Sequence, residues 1–247
     1  MKVLPLALLA NAALLALPAQ ARVWTAPEGC EIFLTVQAKA CRVSNHYRCT
    51  ADAEGDQWRA DFDQEGLFFT SRINFETEWV ESFDIFPKDR QYLLPNPADP
   101  ANFSELLSTG IDYFAFELDR DSGARTSVSG FDRLTGNEVT IDGLTLKETE
   151  FDFNEVDASG NEFRRARGLE YVSPEHRLFF SGPGEVMIDG EWLPIDGSPV
   201  DFVFPGEPGF GASQPIYDCD ALTAQAPQQM TKVPVLPATF KPASPEE

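Results

Sequence analysis

The chain has 247 residues, and 19 Lys and Arg stand against 40 Asp and Glu, which gives a formal net charge of −21 at pH 7. A uniformly acidic surface repels polyphosphate and anionic headgroups, so this charge argues against nucleic acid or anionic lipid surfaces as partners. The length suits one all-β domain with a sizeable core.

The first 21 residues have the pattern of a secretory leader. Lys2 supplies a positive start, an apolar run spans 3–17, and Ala19-Gln20-Ala21 has the small-x-small pattern of a cleavage site. We therefore predict a signal peptide over residues 1–21, with cleavage near Ala21 and a periplasmic or secreted mature chain that begins at Arg22. The apolar run is too short for a spanning helix and no later stretch is longer, so no transmembrane segment is predicted in the mature chain.

The four cysteines fit an oxidising compartment, and Cys30, Cys41, Cys49 and Cys219 predict two disulfides. The preferred pairing joins Cys41 to Cys49 across a polar stretch that could be a hairpin turn, and Cys30 to Cys219. The pairing of Cys30 with Cys49 and of Cys41 with Cys219 stays open. A zinc site that includes His46 is a less favoured alternative, because no Cys-x-x-Cys spacing is present. We predict no metal and no cofactor.

Alternating and aromatic segments predict strands through most of residues 22–220. From Gln57 to Asp63, apolar Trp58, Ala60 and Phe62 alternate with polar residues, so Asp61 and Asp63 are expected to face solvent. Further strands are predicted within 67–69, 77–86, 150–154, 177–180 and 200–204. Turn pairs separate such runs, and these are Asp142-Gly143, Asp189-Gly190, Asp196-Gly197 and Gly136-Asn137.

These patterns predict a mainly β domain over residues 22–220. The fold is expected to be a single antiparallel meander that forms an open or partly closed barrel or curved sheet. One short helix is expected to begin with Asp99 as its cap and Pro100 at its first position, and to end at Gly110. The Pro/Ala/Gln-rich segment 221–247 is predicted to be a disordered tail.

No motif in the sequence identifies a reaction. The chain lacks the Gly-x-Ser-x-Gly and His-Glu-x-x-His patterns, and its two histidines, His46 and His176, lie in no nucleophile or metal motif. A hydrolase would need a histidine within hydrogen-bond reach of a serine or carboxylate in a cleft. We leave enzymatic activity open and do not favour it.

One basic segment stands out from the acidic background, at 163–171. On a strand, Arg165, Arg167 and Tyr171 point to the same side, and Arg164 and Glu170 point to the other. We predict Arg165, Arg167 and Tyr171 as ligand-binding residues, because two guanidinium groups can clamp the carboxylate or phosphate head of an amphiphile. The alternative is that the arginines pair with acids of neighbouring strands, such as those at 148, 150 and 152, or face solvent.

The leader, the aromatic meander, the Asp-Pro helix start and the stretch from Ser173 to Phe180 resemble a group of uncharacterised exported bacterial proteins. Their arrangement is similar to the open half-barrels of periplasmic lipoprotein carriers. This resemblance implies a concave apolar sheet, partly covered by the helix, that shields a lipid or other amphiphile.

Two functions remain open on these grounds. The first is a periplasmic binding module for an apolar or amphiphilic ligand in a β cavity. The second is an envelope structural or interaction protein whose core is filled by its own side chains and which has no small-molecule ligand. A cavity of several hundred Å³ lined by Phe and Trp favours the first, and a close-packed interior favours the second.

Overall fold

The computed structural model describes residues 23–219, so the predicted signal peptide and the predicted tail lie outside the described residues. Within this range the chain forms strands and one short helix, α1 (Phe103–Thr109). The strands are β1 (Cys30–Ala38), β2 (Arg42–Cys49), β3 (Gln57–Phe62), β4 (Leu67–Ile73), β5 (Trp79–Asp84), β6 (Asp89–Leu93), β7 (Ile111–Arg120), β8 (Arg125–Ile141), β9 (Leu144–Asp157), β10 (Glu162–Ser173), β11 (Leu178–Ile188), β12 (Glu191–Asp196) and β13 (Pro199–Val203).

All thirteen strands belong to one sheet, in the order β12-β11-β10-β9-β8-β7-β6-β5-β4-β3-β2-β1-β13. Every sequential pair from β1 to β12 is antiparallel, and β13 returns to pair with β1. The outermost strands, β12 and β13, do not pair with each other, so the sheet is not closed into a barrel. The predicted mainly β class, the antiparallel meander and the single short helix are confirmed.

Side-chain contacts hold the two ends of this sheet near each other. Lys39, after β1, forms an ion pair of 2.7 Å with Asp196 at the end of β12. Arg42 on β2 donates to the Ser181 hydroxyl on β11 at 3.4 Å. The sheet therefore curls, and one of its faces becomes the wall of an interior space.

Two of the four predicted turn pairs join paired strands, and two do not. Asp142-Gly143 and Asp189-Gly190 join β8 to β9 and β11 to β12. Asp196 is the last residue of β12, and the Asp196-Gly197 pair leads to β13, which does not pair with β12, so the hairpin turn predicted there is wrong. Gly136-Asn137 lies inside β8, where the register with β9 shifts between Leu134 and Glu138. The turn predicted there is wrong. Gly136 does have a positive φ, 87°, but it lies at a bulge-like irregularity inside the long strand β8.

The preferred disulfide pairing is wrong, and the alternative pairing is the one observed. Cys30 bonds to Cys49 and Cys41 bonds to Cys219, so none of the four thiols is left for the alternative zinc site. Residues 42–48 do not form a turn but lie within β2. Cys30 and Cys49 face each other directly across the β1–β2 ladder, at a Cα separation of 3.9 Å.

The helix begins three residues later than predicted. Asn102 is the N-cap, and its side chain accepts a hydrogen bond from the Glu105 backbone N–H at 2.9 Å. Asp99 instead exchanges two backbone hydrogen bonds with Ala115 of β7, which holds the preceding segment extended. The predicted end is confirmed, since Gly110 is the C-cap in the left-handed conformation.

Asp61 is buried, so its predicted exposure to solvent is wrong. Only 2% of its surface is accessible, and it accepts a 2.6 Å hydrogen bond from the Ser44 hydroxyl. The Arg59 Nε lies 3.1 Å from its carboxylate. The alternation along β3 was predicted correctly, but both faces of this strand are covered by protein.

Candidate functional site

The inner face of the curled sheet lines a cavity of about 400 Å³ that is partly open to solvent, and strands from β2 to β11 contribute side chains to it. Aromatic rings form much of its wall, and these include Phe69, Trp79, Phe114, Phe116, Phe153 and Phe179. Ala101, just before α1, also lines the space, and the Phe103 ring of α1 lies 5.4 Å from that of Phe179. The start of the helix therefore lies beside the cavity.

Small residues on the inner face leave room for these rings. Ser71, Ser82 and Ser181 line the cavity. Gly130 on β8 has Phe114 and Phe153 packed against its backbone, and a Cβ there would come within 2.9 Å of the Phe114 ring and 2.4 Å of a backbone carbonyl. A larger residue at position 130 would therefore displace the aromatic wall.

Every arginine that lines the cavity already has an acidic partner. Arg164 on β10 lies 3.1 Å from the fully buried Glu155 and over the rings of Trp79 and Phe153. Arg59 pairs with Asp61, as described above. The remaining two are Arg72, which contacts Asp52, Asp56 and Glu81, and Arg120, which contacts Asp84, Asp89 and Glu155. The guanidinium charges of the wall are thus balanced by the protein itself.

Two carboxyl groups in the same wall, those of Asp132 on β8 and Glu170 on β10, have no such balance. Among residues 23–219, neither carboxyl has a hydrogen bond or an ion pair within 4.0 Å. Burial raises the pKa of Asp132 to about 7, and the nearby Asp112 carboxylate adds to this effect. Burial and the charge of Asp132 raise the pKa of Glu170 well above its usual value, although Arg59 opposes the shift. Both carboxyls therefore line the cavity without an oppositely charged partner within 4.0 Å among the described residues.

His46 lines the cavity as a neutral side chain. It is only 3% exposed and lies between the rings of Phe33 and Phe180, at 6.2 and 6.0 Å. Burial and the charges of neighbouring arginines, Arg59 first, hold its pKa well below 6.5. The imidazole therefore adds aromatic surface to the wall and no positive charge at neutral pH.

The structure places the predicted residues Arg165 and Arg167 outside the cavity. Their guanidinium groups lie 5.4 and 4.1 Å from the centre of the Trp192 ring on β12. Arg167 also donates to the Glu185 carboxylate of β11 at 2.7 and 3.0 Å. Tyr171 packs against the buried core cluster that contains Phe180. The predicted clamp at the polar end of the cavity is therefore not formed by these residues.

The residues that do line the cavity from this strand are Arg164 and Glu170. Alternation grouped them correctly on one side of β10, but the sequence could not indicate which side faces inward. Both faces of the strand have aromatic neighbours, Trp192 outside and Phe153 inside. Asp132 was missed because nothing in the sequence distinguishes it among 40 acids.

Ser173 and His176 are within hydrogen-bond reach, with 3.0 Å between the Ser173 Oγ and the His176 Nδ1. The Ser173 hydroxyl also accepts from the His176 backbone N–H at 3.2 Å, so the contact belongs to a local turn. Ser173 is only 1% exposed, and neither residue lines the cavity. The pair lacks the cleft that a hydrolase requires.

Comparison with protein-family models, with curated proteins and with solved structures found no match. Within residues 23–219, no group of three or more His, Cys, Asp and Glu side chains is arranged to hold a metal ion. In the same part of the chain, no helix has the length and apolar character needed to cross a membrane.

Proposed function

We propose that this protein binds one small molecule with an apolar body in the cavity of its curled sheet. The supporting observation is the cavity of about 400 Å³ lined by aromatic rings. Ligand sites of this kind are concave, largely apolar, and furnished with a few polar groups that orient the ligand. Here those polar groups are the side chains of Asp132, Glu170 and Arg59.

The cavity favours this function over a structural protein with a filled core. Protein interiors are close-packed, and a void lined by large side chains loses both dispersion contacts and burial. Elsewhere in the same sheet the packing is tight, as at Leu34, Val43 and Leu146, which are each 0% exposed. The unfilled space is therefore a local feature of the inner face that a ligand can occupy.

An exported location is part of the proposal. The two disulfides are compatible with an oxidising compartment, and residues 1–21 have the composition of a signal peptide. The resemblance to open half-barrel carriers agrees with a ligand held by a curved sheet. We therefore propose a periplasmic or secreted binding protein for an apolar or amphiphilic ligand.

A fluorescence titration with the neutral apolar probe N-phenyl-1-naphthylamine tests this function. We expect saturable binding of one probe per chain, with strong enhancement of its emission. Ser71→Phe should abolish most of the binding, because Ser71 lines the cavity and a phenyl ring there occupies its volume. Ser129→Phe is the matched control, since Ser129 is an exposed residue of β8.

The control variant should bind the probe like the wild type. Equal binding by the wild type and by folded Ser71→Phe would place the probe elsewhere and contradict the proposal. Absence of saturable binding to the wild type would contradict it as well. The near-UV circular dichroism of each variant shows whether its aromatic packing is intact.

A further inference from the structure

We infer that the polar group of the ligand is a cation, and that Asp132 and Glu170 receive it. The ligand class is a monovalent organic amine or related cation with an aryl or alkyl body. This inference rests on the proposed function, because it names the chemistry of the molecule that the same cavity would take. The sequence predicted an anionic headgroup, bound by Arg165 and Arg167 of β10, whereas the ligand inferred here carries a positive group.

The balance of charge in the cavity wall is the first argument. Arg59, Arg72, Arg120 and Arg164 each lie within 4.0 Å of at least one acidic oxygen. An anionic ligand would have to compete with these built-in carboxylates. Asp132 and Glu170 have no basic group within that distance among residues 23–219. Among the ionic side chains of residues 23–219 that line the cavity, the two without an oppositely charged partner are therefore both acids, and they favour a positive ligand group. The Nε atoms of Arg59, Arg72 and Arg120 also lack a hydrogen-bond acceptor, but each of these arginines keeps an acidic partner.

The depth of the two carboxyl groups is the second argument. Both line the cavity, and burial is the largest cause of the raised pKa of each. A buried carboxylate without a partner is unfavourable, so the two carboxyls hold protons more tightly than exposed carboxyls do. An ammonium group supplies both the opposite charge and the hydrogen-bond donors, and its binding displaces protons from the pair.

The position of the carboxyl groups is the third argument. Asp132 lies directly opposite Phe151 in the β8–β9 ladder, and Phe151 lies opposite Gly168, two residues before Glu170 on β10. The Phe151 ring also lines the cavity and lies 6.2 Å from that of Phe153. Acidic oxygens beside aromatic faces are favourable surroundings for an organic cation.

Two other rings of the cavity wall, those of Phe153 and Trp79, already have a cation beside them, the guanidinium group of Arg164. Its guanidinium carbon lies 5.0 Å from the centre of the Phe153 ring and 5.5 Å from that of Trp79. Arg164 is held there by Glu155, whose side chain on the same face is fully buried. Arg164 thus combines a carboxylate, a cation and an aromatic ring in the cavity wall, and the same combination is what an organic cation beside Asp132, Glu170 and the Phe151 ring would form.

Three probes of matched shape test the inference by calorimetry at pH 8. They are 2-phenylethylamine, 2-phenylethanol and 3-phenylpropionate, which carry positive, zero and negative charge. We expect the amine to bind at least about tenfold more tightly than the alcohol, and the propionate most weakly. In Asp132→Asn/Glu170→Gln the preference for the amine over the alcohol should fall to within about threefold.

The controls separate failure of this inference from failure of the proposed function. Glu117→Gln, which removes an exposed acid of β7, should keep the wild-type preference. Binding of N-phenyl-1-naphthylamine reports whether the cavity of each variant is intact. Should the double amide variant fail to fold, the wild type alone remains informative, because its affinity for the amine should fall between pH 8 and pH 5.5 as the pair is protonated.

Tighter binding of the alcohol or the propionate than of the amine would overturn the inference that the ligand is a cation. The proposed function, binding of a small molecule in the cavity, would still stand. Retention of the preference for the amine by a folded double variant would overturn the assignment to Asp132 and Glu170. A lack of binding by all three probes and by N-phenyl-1-naphthylamine would overturn both proposals.

Discussion

At the residue scale, the protonation of Asp132 in the cavity wall makes the stability of the protein depend on pH. Its folded-state pKa of about 7 lies above the ordinary value of 3.8, because its carboxyl is buried and lies near Asp112. The folded state therefore holds this proton more tightly than the unfolded chain does. The stabilisation from this proton is fully present below about pH 4 and is lost as the pH rises through about 7.

We therefore predict that the free energy of unfolding of the unliganded protein falls between pH 5 and pH 8. Asp132→Asn should remove on the order of 2 kcal/mol of that fall, because the amide does not ionise. Urea unfolding at several pH values measures this difference. Part of the slope should remain in the variant, since burial also raises the pKa of Asp112, to about 6, and that of Glu170. An unchanged slope in Asp132→Asn would contradict the prediction.

Individual residues also show what alternation can and cannot predict. The period of two grouped Arg165 with Arg167 and separated them from Arg164 and Glu170, as the structure has it. It could not predict which group faces inward, because the curl of the sheet places aromatic rings on both sides of β10. The burial of Asp61 escaped prediction for a related reason, since Ser44 and Arg59, its polar partners, face the same side of a covered strand.

At the scale of elements, the strands and turns were largely predictable from the sequence. Asp142 and Asp189 have positive φ, 45° and 52°, in the tight turns that Asp-Gly pairs predict. The helix end at Gly110 followed from the same chemistry. Its start did not, because Asp99 and Asn102 are both good caps and only the pairing of Asp99 with Ala115 selects the second.

The two disulfides join elements over very different distances along the chain. Cys30–Cys49 links neighbouring strands 19 residues apart, and Cys41–Cys219 closes a loop of 178 residues. Sequence spacing could not predict this pairing, because the choice depends on which of Cys30, Cys41 and Cys49 lies beside the segment that follows β13, and it is Cys41, in the turn between β1 and β2. The backbone N–H of Cys41 donates to the Tyr217 carbonyl at 3.0 Å, which holds that segment in place.

We predict that the loss of Cys41–Cys219 destabilises the protein more than the loss of Cys30–Cys49. In the loop-entropy description the difference is about 2 kcal/mol, since the longer loop restricts the unfolded chain more. Urea unfolding of Cys41→Ala/Cys219→Ala and of Cys30→Ala/Cys49→Ala measures the two losses against the wild type. Equal losses, or a larger loss for the Cys30–Cys49 variant, would show that chain entropy does not govern the stabilisation.

At the scale of the whole molecule, the cavity arises from contacts that join the two ends of the sheet. Lys39 with Asp196 and Arg42 with Ser181 connect residues 157 and 139 positions apart in the sequence. A strand pattern predicts neighbours along the meander, but it holds no information about such long-range closure. The sequence could thus predict a curved sheet, and only the structure could show that its inner face leaves about 400 Å³ unfilled.

The charge of the whole molecule and that of its cavity are separate matters. The net charge of −21 describes the surface and the solubility of the chain. In the cavity wall each of the four lining arginines has an acidic side chain within 4.0 Å, whereas among residues 23–219 the carboxyls of Asp132 and Glu170 have no basic group within that distance. A cationic ligand would also be attracted toward the acidic protein before it reaches the site.

The central claim, that a ligand binds inside the curled sheet, is tested most directly by the indole N–H resonances of the four tryptophans. Trp79 and Trp58 line the cavity, whereas Trp24 packs on Tyr47 and Phe62, and Trp192 lies under Arg167. On titration with 2-phenylethylamine at pH 8, we predict a saturable shift of the Trp79 resonance and little change at Trp24 and Trp192. A Trp79 resonance that does not move, or equal shifts at all four indoles, would contradict the account.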